Sequence, residues 1–274
     1  MMMRHTLITG VNIDAFRAVL PQSGFSLKNR YTIGAINYDD LIVGAVSFVL
    51  VGNQYNIDWL YVSPSMRRQK VATKLMNEVF AFIKDTGEVY PIRAEYEVSS
   101  KDLSLYGFFL SIDELDTAFS HQRYYVDTRD IASSEGLKKS GEIALTEKEF
   151  FSLPKEYQNK YLNELSSSGD YLIEDRKHWA EICEHKLCRV VTQGEKLLAA
   201  SFILGRSDGN LELSFLYSNN PLATKKLISD VAADIVEKYP GAKLIFDAVG
   251  EKSAPLAKKL FPNAKSVNVY ESIW

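Results

Sequence analysis

The spacing of apolar positions changes period several times along the chain. Residues 40–50 (DLIVGAVSFVL) and 54–62 (QYNIDWLYV) are β-branched and aromatic runs separated by Gly52 and Asn53, which predicts a β-hairpin. From Val71 the period lengthens. Val71, Leu75, Val79 and Phe82 recur at helical spacing, flanked by Ala72, Met76, Phe80 and Ile83. Thr86 and Gly87 end that predicted helix. Residues 89–98 (VYPIRAEYEV) read as a strand, Asp102 to Phe109 as a short helix, and 122–131 (QRYYVDTRDI) as a further strand. The polar, aperiodic stretch 133–142 (SSEGLKKSGE) with its two glycines is the best linker in the chain.

The second half repeats the first. AVSFVL at 45–50 answers AASFIL at 199–204, and IDWLY at 57–61 answers LSFLY at 213–217. ATKLM from Ala72 answers ATKKL from Ala223, and IRAEYE at 92–97 answers LIFDAV at 244–249. Matches in conserved order at nearly constant offset indicate an internal duplication. The copies differ most between strand and helix. Ten residues separate Tyr61 from Ala72, but only five separate Tyr217 from Ala223. The missing segment corresponds to Pro-Ser-Met-Arg-Arg-Gln-Lys, and copy two instead opens its helix with Asn219-Asn220-Pro221, an Asn cap and an early proline.

Composition then narrows the class. The 274 residues are 46% hydrophobic and 24% charged, enough for two globular domains and unlike a disordered or fibrous chain. A formal net charge of −3 argues against a nucleic-acid partner. Only Cys183 and Cys188 are present, which points to a reducing compartment. The start MMMRHTLITG has no apolar leader, and the run Leu41 to Val51 is far shorter than the ~20 residues of a membrane span. The expectation is a cytoplasmic protein with no membrane partner. His178, Cys183, His185 and Cys188 cluster within a short segment, but their spacing fits no zinc pattern and an amphipathic segment with buried cysteines is expected, without metal.

The segment that copy two lacks carries the candidate chemistry. A strand, then VSPSMRRQKVATKL, then a helix start places Arg67, Arg68 and Lys70 beside amides that have no intrahelical partner. That geometry suits a phosphate cradle, although a solvated basic loop has the same composition.

LYVSPSMRRQKVATKLM resembles the acetyl-CoA motif of the GNAT N-acetyltransferases, Arg/Gln-x-x-Gly-x-Gly/Ala after a strand ending Leu-Tyr-Val. Arg67-Arg68-Gln69-Lys70-Val71-Ala72 matches its first and last positions, with Lys70 where the family has Gly. The resemblance spans about residues 1–130. It implies an α/β (α+β) fold of two tandem GNAT-like domains, each a mixed, mostly antiparallel sheet flanked by helices. It implies that Leu60, Tyr61 and Val62 bind the acetyl carbonyl and pantetheine arm after β splaying, and that the amides of Arg68, Gln69, Lys70, Val71, Ala72 and Thr73 hold the pyrophosphate. The later motif is matched loosely by residues 99–106. Ser99 replaces the usual Asn contact to pantetheine, and Tyr106 falls on the tyrosine that protonates the leaving thiolate.

Thioester aminolysis requires a neutral amine, and a carboxylate can take its proton directly or through water. Asp58, two residues before Leu60, is the candidate base, with the carboxylate of Trp274 as a rival. In copy two Ser214 aligns with Asp58, the cradle is deleted, and Phe261 is expected near the Tyr106 position. The reading is a catalytic domain at 1–132 and a degenerate GNAT-like domain at 143–274 that braces it and walls part of the acceptor cleft. The activity expected is acetyl-CoA-dependent N-acetyl transfer to a small-molecule or protein amine, with acetyl-CoA as co-substrate. Alternatives are a CoA-binding or regulatory module without catalysis, or a transferase using another acyl-CoA. Acceptor and oligomeric state are left open.

Overall fold

The computed structural model describes residues 3–22, 25–87, 90–99, 102–137, 145–167, 176–206, 208–249 and 253–274. Strands β1 (Arg4–Leu7), β2 (Tyr31–Ile36), β3 (Ile42–Val51) and β4 (Gln54–Val62) precede helix α1 (Val71–Thr86). Then come β5 (Ile92–Val98), α2 (Ser104–Leu110), β6 (Asp116–Asp127), α3 (Thr128–Ser133), β7 (Thr146–Glu149), α4 (Lys155–Ser167) and α5 (Arg176–Ile182). The remainder is β8 (Arg189–Gln193), β9 (Lys196–Gly205), β10 (Leu211–Ser218), α6 (Pro221–Lys238), β11 (Lys243–Ala248), α7 (Ser253–Leu260) and β12 (Lys265–Ile273). The strand expected at 122–131 begins earlier and stops at Asp127, where the chain turns into α3.

Two compact units result, one of Met1–Ser120 with Asn268–Trp274, the other of His121–Val267. In the first, strand order runs β1-β2-β3-β4-β5-β12. All its pairings are antiparallel except β4 with β5, which is parallel. α1 buries Val71, Leu75, Met76, Val79, Phe80 and Ile83 on one stripe against β2, β3, β4 and β5. Full burial is worth roughly 1.5–3 kcal/mol for each large aliphatic or aromatic side chain, so this stripe rather than helix propensity holds α1 in place. Phe82, at the edge of the stripe, packs its ring on Tyr31 and Phe48. Gly87 ends the helix at φ +72°, the left-handed conformation in which glycine is unstrained. On the other face of the sheet, Phe16, Val19 and Leu20 form a second cluster with Ile8 and Ala45.

The second unit has strand order β6-β11-β10-β9-β8-β7, again with one parallel pair, β10 with β11. Its α6 buries Ala223, Leu227, Val231, Ala232 and Ile235. Arg189 pairs with Glu147 and Asp234, tying β7, β8 and α6 together.

The division of these units differs from the repeat boundary at 133–142. Within each repeat the closing strand would lie beside that repeat's own parallel strand. Here residues 122–127 of β6 pair with β11 of the second unit, and Asn268–Ile273 of β12 pair with β5 of the first. The two repeats have exchanged their last strands. Residues 138–142 of the expected linker lie outside the described residues.

Candidate functional site

β4 carries a bulge. Ser47 faces Trp59 and Phe48 faces Ile57, so Asp58 is the extra residue with no partner opposite. A bulge bends a strand and increases its local twist. On its other edge β4 pairs with β5 only from Tyr55 to Ile57, against Ile92 to Ala94. From Asp58 onward the two parallel strands part, leaving the β5-side backbone of Leu60, Tyr61 and Val62 outside that ladder. Copy two has the same device. Ser214 is the extra residue of β10, whose parallel pairing with β11 stops at Leu213. The sequence alignment of Ser214 with Asp58 thus has a structural counterpart.

The loop after β4 is braced by its own backbone. The Ser63 amide donates to the Val43 carbonyl at 2.9 Å, and Pro64–Met66 form one 3-10 turn. The Arg67 Nε donates to the Val62 carbonyl at 3.3 Å, and the Gln69 amide side chain to the Ser65 carbonyl at 3.2 Å. Arg68 and Lys70 both take positive φ, 63° and 59°. Lys70 therefore holds the backbone shape for which the family's glycine is suited, at a cost of about 1–2 kcal/mol for a residue with a Cβ. Its side chain is exposed, as are those of Arg67, Arg68 and Gln69. Gly44 lies beneath: a Cβ there would come within 2.7 Å of the Tyr61 carbonyl oxygen and 3.4 Å of Val71. Only glycine allows β3 to pass so close to the end of β4 and the start of α1.

Among the described residues, no side chain caps the first turn of α1. The amides of Val71, Ala72 and Thr73 therefore have neither an intrahelical partner nor a cap. The contrast with α6 is direct, because there the Asn220 side chain accepts from the amides of Leu222 and Ala223, each at 3.0 Å. In copy one, the basic loop and the uncapped amides fit a pyrophosphate. In copy two, a side chain already occupies those amides.

Tyr106 lies in the first turns of α2, half-buried, in the same apolar cluster as Ile57, Leu60, Val62 and Met66. Its ring tilts against that of Tyr270 at 4.6 Å. Ser99 is engaged locally, its hydroxyl accepting from the Asp102 amide at 3.1 Å. Asp102 then accepts from the Ser104 amide at 2.9 Å. The Ser104 hydroxyl and amide, and after them the Arg67 charge, hold the Asp102 carboxyl below the usual carboxylate range.

Asp58 is not solitary. Arg30 pairs with it, donates to the Ser26 carbonyl at 3.0 Å, and lies over the Phe25 ring at 5.0 Å. The Asp58 side chain keeps 29% of its surface accessible. Beside it, Trp59 donates to the Val19 carbonyl at 2.9 Å and stacks with Tyr61 at 6.1 Å. The structure therefore brings Leu60, Val62, Met66 and Tyr106 to one apolar cluster, while Asp58, Trp59 and Tyr61 associate with Arg30 and the segment around Val19. Trp274, by contrast, exchanges backbone hydrogen bonds with Ile92 at the beginning of β5, and β4 and β5 part at its other end. Phe261 sits just beyond the end of α7, whereas Tyr106 is inside the first half of α2, so the two are not equivalent. Arg30 and Tyr270 escaped the sequence reading. Arg30 sits in a polar connection without periodicity, and Tyr270 belongs to a strand that the repeat assigns to the other copy.

Of the four candidate zinc ligands, the side chain of His178 lies outside the described residues. His185 stacks on Phe151 at 4.0 Å and bonds the Ala180 carbonyl at 2.8 Å. Cys183 and Cys188 are both buried free thiols, and the hydrogen bond to Cys188, followed by burial, pushes Cys183 far above its ordinary range. Both thiols sit in an apolar cluster with Phe150, Trp179 and Phe202, a packing environment.

Residues 10–109 match the family model described as the acetyltransferase (GNAT) family. Among solved structures, a GCN5-related N-acetyltransferase from Kribbella flavida is 14% identical with a TM-score of 0.56, covering 98% of this chain and 71% of its own. A tandem GNAT protein from the clavulanic acid biosynthesis pathway is 10% identical with a TM-score of 0.60, covering 97% and 87%. A GCN5-related glucosamine N-acetyltransferase region of a fungal multi-domain β-N-acetylglucosaminidase is 13% identical with a TM-score of 0.64, covering all of this chain and 38% of that one. No curated protein matches in sequence. Among the described residues no helix is long and apolar enough to cross a membrane. Residues 10–109 thus match the GNAT family model, and over nearly its whole length the chain has the fold of a tandem GNAT protein.

Proposed function

We propose that the protein is an acyl-CoA-dependent N-acyltransferase that uses acetyl-CoA and acts through the first repeat alone. The observation that carries this reading is the uncapped start of α1 behind the Arg67–Lys70 loop, set against the Asn220 cap on α6. Anions bind at such amides with the favourable end of the helix dipole. The amides of Arg68 to Thr73 would hold the pyrophosphate, with Arg67, Arg68 and Lys70 adding charge. The backbone of Leu60 to Val62, free of β5, would take the pantetheine arm and thioester.

The chemistry is direct. An amine nitrogen forms a bond to the thioester carbonyl carbon, the C–S bond breaks, and the acyl group leaves as an amide. Asp58, directly or through water, takes the amine proton, and the Tyr106 hydroxyl gives a proton to the departing thiolate. The acceptor is an amine of a small molecule or a protein, in the cytoplasm. A second reading, a CoA-binding module without turnover, is favoured by one feature: Arg30 already engages the carboxylate that would act as base.

Thermal unfolding with acetyl-CoA tests the site. The parent protein should gain several degrees at saturating ligand, and Arg67→Glu should gain none. No shift with acetyl-CoA or any other CoA ester sinks both readings. Thiol release with an amine panel then separates them. Turnover that drops about 100-fold in Tyr106→Phe supports the transferase, and a ligand-stabilised protein with no turnover supports the module.

A further inference from the structure

α2 has seven residues, its first amide held by the Asp102 carboxyl at 2.9 Å, and by itself it is too short to be stable. Its position is set by what it packs against. Tyr106 and Phe109, three residues apart, share one face of the helix. Each of these rings lies on one ring of the sheet. Phe109 stacks on Tyr96 of β5 at 4.7 Å, and Tyr106 tilts onto Tyr270 of β12 at 4.6 Å. Tyr96 and Tyr270 are themselves partners across the β5–β12 ladder. That shelf is fixed in turn. The Tyr96 hydroxyl is 3.1 Å from the Ser272 hydroxyl, which is 2.7 Å from that of Thr117, and the Phe119 ring meets Tyr270 edge-on at 5.8 Å.

Tyr270 lies outside the segment that matches the family model and follows the whole second unit in sequence. We propose that Tyr270 is a positioning residue for Tyr106, so that the exchanged strand β12 completes the catalytic site of the first unit. The inference rests on the reading of Tyr106 as the proton donor. Tyr270 acts through its ring: an aromatic surface at this position sets the tilt of Tyr106 and hence the direction of its hydroxyl. Misplacing a reacting group by about 1 Å can cost about 100-fold in rate, so a softer support is expected to slow the chemistry while leaving CoA binding intact.

The test uses the full-length chain with acetyl-CoA and the best acceptor from the amine panel. Four variants are compared, Tyr106→Phe, Tyr270→Phe, Tyr270→Leu and Tyr270→Met, by kcat, by KM for acetyl-CoA and by the Kd of CoA from calorimetry. The expectation is that Tyr270→Phe stays within about twofold of the parent. Tyr270→Leu and Tyr270→Met should each lose about tenfold in kcat with KM and Kd within about twofold. The inference is overturned if both aliphatic variants keep the parental kcat while Tyr106→Phe is slow. It is equally overturned if Tyr270→Phe is as slow as Tyr270→Leu, which would make the hydroxyl the active feature, or if kcat and CoA affinity fall together. If Tyr106→Phe keeps the parental kcat, the proton-donor assignment fails and takes the inference with it. Two aliphatic replacements keep the test decisive should one of them not fold.

Discussion

Lys70 holds a left-handed backbone at φ +59°, a shape most residues avoid, at the entrance to α1. Replacing it with glycine removes a cost of about 1–2 kcal/mol in the folded chain and adds roughly 0.5–1 kcal/mol of unfolded-state entropy. Lys70→Gly is therefore expected to raise the melting temperature of the first unit by a few degrees, and Lys70→Ala is not. Differential scanning calorimetry of the three proteins without ligand checks this. Asp247 gives a prediction in pH. Burial acts to raise its pKa, but the hydrogen bonds from Arg123, at 2.7 and 2.8 Å, and then from His121 outweigh it and leave the carboxyl well below its usual range. A group depressed on folding stabilises the folded state above its unfolded pKa of about 4, and that contribution is lost as pH falls below this value. The urea midpoint of the parent should exceed that of Asp247→Asn at pH 6, and the gap should shrink at pH 3.

The two helices that follow the splayed strands begin in opposite ways, and the difference predicts how each responds to ligand. Asn220→Ala removes a cap that accepts two amides and should cost about 1 kcal/mol, whether or not acetyl-CoA is present. The α1 amides have no such cap, so hydrogen exchange at Val71 to Thr73 should slow when acetyl-CoA is added, while the start of α6 is unchanged. This contrast was legible in the sequence, because the Arg67–Lys70 segment and Asn220-Pro221 are local signals. The β3–β4 hairpin and both ends of α1 were equally legible, since alternation, helical periodicity and Gly87 act within a few residues. The opening half of β6 was not: Asp116 to Ser120 is mostly exposed and lacks a clean apolar alternation. The bulge at Asp58 was also hidden, for it depends on the register of β3 against β4 and not on any residue type. Arg30 reaches Asp58 across 28 positions of sequence, a separation no local pattern reports.

The duplication could be read from the chain, but the partnership of its strands could not. Two repeats of like sequence offer each parallel strand two candidate closing strands of similar pattern. Only the three-dimensional register shows that β5 takes β12 and β11 takes β6. A fragment cut after residue 132 contains the family segment yet lacks the strand that supplies Tyr270, Ser272 and Trp274 to the first unit's packing. Such a fragment is expected to melt without a cooperative transition. Residues 1–120 joined by a flexible linker to 268–274 should recover one, as circular dichroism would show; failure of the joined form while 1–132 folds would contradict the exchange.

The order in which ribosomes make this chain gives the exchanged strand a temporal meaning. Residues 121–267 form an uninterrupted unit and have all their strands before β12 is synthesised. The first unit, though made earlier, waits with β5 open on one edge until residues 268–274 are translated. An open edge of this kind is a hazard for mispairing during that interval. The first unit would then complete its sheet only after residues 268–274 are made, so a nascent chain stalled before Asn268 would carry β5 with one edge unpaired.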